Sequence, residues 1–243
     1  MDRWTGLRAG ARAALSQRNY SAGSLLERMA GSGVMVGELI EGDRSQLAEG
    51  WIPGVDFVRR RVFRQKHRGF FGEFAREGEG LLGELKMWPK QWATARMYAG
   101  TAKGFHIHPP HIPEGKEPTA WFQYLFGNNP APVSERPYDF EQWDVMFFVQ
   151  GDVEMFLVDE RIGMPRRVMR FLMEGDDCGG GYPCGVVIPA GVAHALMVEG
   201  SDDVIMVYGT STRFDPAAEG RIADGIERAG LPPEWESYLN QIQ

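Results

Sequence analysis

Between Val55 and Tyr208 the chain breaks into short runs of β-forming residues punctuated by glycine and proline: 58–63, 69–74, 92–98, 104–108, 145–149, 153–158, 167–173, 185–188, 195–198 and 204–208. Such runs are too short for helices, and so many strands expose unpaired edges unless the sheet closes on itself. The expectation is an all-β fold, a closed antiparallel jelly-roll barrel. Residues 1–54 read as an N-terminal helical extension, with an arginine- and alanine-rich stretch from Leu7 to Leu15 and a second helix start at Ser24. Residues 55–243 form the barrel domain, closed by a helix from Pro216 through Ile226. Within it, about 109–141 is an insertion dense in proline and in aromatics such as Trp121, Tyr124 and Tyr138, which reads as a lid or interface.

Charge narrows the partners. A net charge of −7 supplies no basic face for nucleic acid. It leaves room for a nucleotide ligand, because one or two arginines hold a diphosphate locally. The clusters Arg59-Arg60-Arg61 and Arg166-Arg167 read as solvated faces. No apolar run approaches the roughly 18 residues of a membrane span, and the N-terminus lacks a signal peptide's apolar stretch. The expected location is therefore the cytoplasm, away from membranes. Cys178 and Cys184, flanking a glycine-rich loop, read as two free thiols.

Histidine is scarce, with five in the chain. His106 ends the segment Lys103-Gly104-Phe105-His106, and His194 ends Ile188-Pro189-Ala190-Gly191-Val192-Ala193-His194. Two strand-borne histidines so far apart in sequence suggest a pocket inside the barrel. With Arg68-Gly69-Phe70-Phe71-Gly72-Glu73, the stretch from Gly151 to Arg161, and Tyr208 followed by Pro216 to Gly220, these segments occur in one order. Together, over roughly 55–222, they resemble the dTDP-4-dehydrorhamnose 3,5-epimerase family of the cupin superfamily, whose barrel is a double-stranded β-helix.

The resemblance implies proton chemistry beside a ketone on a nucleotide-linked 4-keto-6-deoxy sugar, without a cofactor. His106 matches the base that removes the proton, and Tyr208 the acid that returns one on the opposite face. Arg68, Glu73 and Gln91 match nucleotide contacts, while His194 and Glu219 match further pocket positions. Relatives are dimers in which the Arg68–Glu73 segment completes the neighbour's site, so a homodimer is expected.

Two positions depart from the family. Lys103 replaces an arginine, keeping charge but losing bidentate geometry. Asp144 stands where a family lysine stabilises the developing oxyanion, and a carboxylate there repels an enolate. Gln142-Trp143-Asp144 resembles a Gln-x-Asp element of divergent relatives, and Asp144 is expected to bond His106 or His108. An alternative reading uses His106 and His108, two apart on one strand face. With His194, and Glu114 or Asp144 as carboxylate, they form a ligand set for one Fe, Mn, Ni or Zn ion. Three functions thus stand open: a keto-sugar epimerase or isomerase, a metal-dependent cupin oxygenase or isomerase, and a sugar-binding cupin without catalysis.

Overall fold

The structure, a computed structural model, describes residues 35–36, 52–58, 61–110, 112, 115–116, 141–175, 185–215, 219–222, 235 and 238. The expected N-terminal helices, most of the insertion with Glu114 and His111, and both cysteines lie outside them. The helix expected from Pro216 through Ile226 is not borne out at its described residues 219–222, where Gly220 and Arg221 pair with β-strand residues Ile107 and His106 instead.

The strands are β1 (Met35–Val36), β2 (Asp56–Val58), β3 (Arg61–Gln65), β4 (Gly69–Glu73), β5 (Gln91–Met97), β6 (Ala102–Ile107), β7 (Asp144–Gln150), β8 (Asp152–Asp159), β9 (Val168–Glu174), β10 (Gly185–Ile188), β11 (Val192–Glu199), β12 (Val204–Thr210) and β13 (Gly220–Arg221). A one-turn helix, α1 (Gly80–Glu84), precedes β5. Six strands form one sheet in the order β1-β9-β8-β11-β6-β13, and five form a second in the order β2-β10-β7-β12-β5. The fold is the all-β jelly roll expected. No helix among the described residues is long and apolar enough to cross a membrane.

Alternation of side chains sends every second residue of each strand between the two sheets. Met155, Leu157, Met169 and Leu196 of the first sheet meet Met146, Phe148, Ile188 and Met206 of the second in a central core. The outward faces are covered as well. Trp235 and Tyr238 cover Phe105, Phe156 and Ala195 on the first sheet, and Leu81 and Leu82 of α1 cover Phe147 and Val187 on the second. Burial on both faces is why β7 and β8 read as nearly continuous apolar runs.

Two expectations change in detail. The run 58–63 divides: β2 is buried and pairs with β10, whereas β3 joins β4 in a separate hairpin with Phe63 exposed. Arg166 is no free surface charge, since it bonds Glu160 and lies over the ring of Tyr238 at 5.1 Å.

Gly104 marks where β6 and β11 approach too closely for a side chain. Its φ is +112°, and a Cβ there would fall 2.6 Å from the His194 carbonyl oxygen. Gly104→Ala is expected to lower stability by at least about 1–3 kcal/mol in urea unfolding. A stability unchanged from wild type would contradict this close approach.

Candidate active site

A cavity of about 250 Å³ opens between the sheets at one end of the barrel. The first sheet supplies His106 and His194, register partners on β6 and β11. The second supplies Asp144 from β7 and Tyr208 from β12, two rungs apart on the same inner face. His108 lies just beyond β6, where the Gly191 N–H donates to its carbonyl oxygen at 2.7 Å. Gly191 itself has a φ of +78°, and a Cβ there would come within 2.8 Å of the Pro110 ring. The Pro-x-Gly turn thus holds both histidine segments together.

His106 is held from one side only. Its Nδ1 lies 2.9 Å from Glu219 Oε1, and the buried Nε2 has no hydrogen-bond partner among the described residues. Strand pairing delivers the carboxylate: Arg221 of β13 pairs with His106, which sets Glu219 beside the ring. Burial, followed by the nearby His194, Lys103 and Arg221, pushes the imidazole down to about 3. It is therefore neutral at working pH, with Nδ1–H donating to Glu219 and the Nε2 lone pair available. A proton taken up at Nε2 creates an imidazolium beside the waiting carboxylate.

A second group forms around Asp144. Its Oδ2 lies 3.1 Å from His108 Nε2 and 3.6 Å from His194 Nε2. Thr212 donates its hydroxyl to Gln142 Oε1 at 2.7 Å, which fixes the amide so that Gln142 Nε2 donates to Asp144 Oδ1 at 2.8 Å. Burial alone would raise Asp144, but His108 and the bonds from His108 and Gln142 hold it below the ordinary carboxylate range. His194 Nδ1 donates to the Val192 carbonyl at 3.2 Å, leaving Nε2 bare, and burial pushes this imidazole down to about 4 despite Asp144.

No family model matches the chain. Among curated proteins it is similar to the spore coat polysaccharide biosynthesis protein SpsL of Bacillus subtilis (strain 168), 24% identical over 160 residues, which is 65% of this chain and 80% of that one. Among solved structures it superposes on the dTDP-6-deoxy-D-glucose-3,5-epimerase RmlC of Legionella pneumophila Philadelphia 1, with a TM-score of 0.51 at 18% identity over 78% of this chain and 89% of that one. It also matches NovW of Streptomyces spheroides, a 4-keto-6-deoxy sugar epimerase, with a TM-score of 0.50 at 17% identity over 79% and 88% of the two chains. The fold is that of the nucleotide-sugar 3,5-epimerases.

On this epimerase fold, the cavity gathers Gln91, Lys103, His106, Asp144, His194, Tyr208 and Glu219, together with His108. Lys103 is half-buried, and burial lowers its ammonium from the ordinary value. Gln91 reaches the rim, where its Oε1 accepts the Phe214 N–H at 3.0 Å. Arg68 and Glu73 do not reach the cavity of their own chain. Arg68 sits exposed in the turn of the β3–β4 hairpin, and Glu73 bonds Arg76 at 2.8 Å. Of the metal set read from sequence, His108 and His194 converge with Asp144. His106 faces Glu219 instead.

Three features escaped the sequence reading. Arg221 lines the cavity beside Glu219. Thr212 braces Gln142, and Trp235 donates its indole N–H to the Gly104 carbonyl at 2.9 Å. Gln142, read from sequence as part of the Gln-x-Asp element, bonds Asp144 two positions on.

Proposed function

We propose that the chain is an epimerase or isomerase acting on a nucleotide-linked 4-keto-6-deoxy sugar. His106 Nε2 removes the proton from the carbon α to the ketone, and the bonding pair moves toward the carbonyl oxygen. Tyr208, on the facing sheet, delivers its hydroxyl proton to the opposite side of that carbon, and solvent reprotonates the tyrosine. Lys103 and Arg221 offer cations to a diphosphate. One observation carries the reading: a buried imidazole whose Nδ1 is fixed by Glu219 and whose Nε2 is unpartnered and next to a cavity. The fold supports it, because solved proteins that share it are named as epimerases of such sugars. The reading requires no organic cofactor and places the enzyme in the cytoplasm.

The test is incubation with a dTDP-linked 4-keto-6-deoxyhexose in heavy water, followed by proton NMR. Deuterium is expected at a carbon α to the ketone, with inversion. In Tyr208→Phe, exchange is expected to continue from the His106 face while inversion falls by roughly 10²-fold or more. A folded wild type that exchanges nothing overturns the proposal.

The same reading makes the protein a homodimer. Phe63, Phe70 and Phe71 of the β3–β4 hairpin are exposed, with Phe63 and Phe71 stacked at 6.3 Å, and among the described residues the hairpin pairs with neither main sheet. A second copy covering them would bring Arg68 to its neighbour's nucleotide. Sedimentation is expected to give a dimer, and Phe63→Ser with Phe71→Ser a monomer that binds dTDP more weakly. A wild-type monomer with full dTDP affinity would contradict this.

A further inference from the structure

Asp144 poses a problem for proton abstraction as the residues stand. An enolate forming in this cavity meets a buried carboxylate, a repulsion that costs rate unless a cation lies between them. The same spot has a second imbalance. His194 Nδ1 donates to a backbone carbonyl, so its Nε2 lone pair faces Asp144 Oδ2 at 3.6 Å, one acceptor against another. His108 Nε2 lies 3.1 Å from the same oxygen, and the amide nitrogen of Gln142, oriented by Thr212, lies 3.0 Å from that imidazole nitrogen. A proton on His108 Nε2 would serve Asp144, and an ion taking that nitrogen would displace it.

We propose that His108, Asp144 and His194 bind one divalent first-row transition metal ion, and that His106 is not among its ligands. The spacing supports this. With metal–ligand bonds of 2.0–2.2 Å, the donors of a tetrahedral ion sit about 3.4 Å apart. The two carboxylate–imidazole separations bracket that value, and all three donor atoms lie within 4.8 Å of one another. Each imidazole or carboxylate is buried, and two nitrogens with one oxygen suit Zn, Fe, Co, Mn or Ni rather than Mg or Ca. Gln142 Nε2 on Asp144 Oδ1 and the Val192 carbonyl on His194 Nδ1 act as outer bonds that orient the ligands.

The inference rests on the epimerase reading for its purpose and goes beyond it in chemistry. Asp144 stands where the resembling family has a lysine, and an ion held by it restores positive charge at that place. A site built from His106, His108 and His194 would occupy the base. This one leaves His106 Nε2 free, so metal and base coexist in one cavity.

The test uses Co(II) as probe, on full-length protein purified without a nickel column and stripped with a chelator. Wild type and His106→Ala are each expected to bind one equivalent, read by calorimetry and by visible ligand-field absorption. Binding is expected to weaken at least 100-fold in His108→Ala and in Asp144→Asn, with circular dichroism confirming that both remain folded. If either variant unfolds, Zn(II) protection of the wild type against thermal unfolding, retained in His106→Ala, reads the same site. No stoichiometric binding by wild type overturns the proposal, and so does loss of binding in His106→Ala. Deuterium exchange measured with and without added Co(II) separates the two readings: exchange in a protein that binds no metal keeps the epimerase and removes the ion, and metal binding with no exchange even in the loaded protein does the reverse.

Discussion

His106→Ala lowers the rate of deuterium exchange at the sugar's α-carbon by roughly 10²–10⁴-fold, the range for removing a positioned general base. The loss falls on kcat, because His106 meets the substrate as a neutral group and changes charge only as the proton moves. Glu219→Gln tests the same step one bond away. The amide still accepts from Nδ1–H, so the ring keeps its orientation, but the imidazolium loses its counter-charge. A hydrogen bond to a charged group contributes about 1.5–3 kcal/mol, which predicts a fall of roughly 10–100-fold. Stopped exchange in heavy water with single-turnover NMR checks both. Full exchange in His106→Ala would remove it from the chemistry.

Trp235→Ala is the largest expected effect on stability. The indole is fully buried, packs edge-on against Phe105 and Phe156 at 5.2 Å each, and bonds the Gly104 carbonyl. Truncating a buried tryptophan costs about 3–5 kcal/mol. Trp235→Phe keeps most of the packing and strips the carbonyl of its donor, so a smaller loss of about 1–3 kcal/mol is expected. Gly104 lies two residues before His106 on β6, so this carbonyl is part of the scaffold that aims the base. Trp235→Phe should therefore lower kcat while leaving KM for the nucleotide sugar nearly unchanged. Urea denaturation and steady-state kinetics report the two effects, and an unaltered kcat would show that Trp235 stabilises without positioning.

The barrel was legible in the sequence because both faces of its strands are buried, so each strand appears as a short apolar run closed by glycine or proline. Placement of His106 with His194 was legible for the same reason, since each sits on a strand between punctuating turns. The Glu219 contact was not. It depends on β13, two residues long and composed of Gly220 and Arg221, which carries no alternation to read. Trp235 was hidden by distance, since its partner Gly104 lies 131 positions away. The run from Gly69 carries a local β pattern that correctly predicts β4, yet Glu73 on that strand and Arg68 in the turn before it lie outside the cavity of their own chain.

The proposed reaction depends on His106 Nε2 as the atom that meets the substrate. The most direct test is a crystal structure of the full chain with a dTDP-linked 6-deoxyhexose that lacks the ketone and so cannot react. The carbon that would lie α to the ketone is expected at about 3–3.5 Å from His106 Nε2, with the Tyr208 hydroxyl on the opposite face of the ring. A sugar bound with that carbon turned away from His106, or held outside the cavity between the sheets, would contradict it.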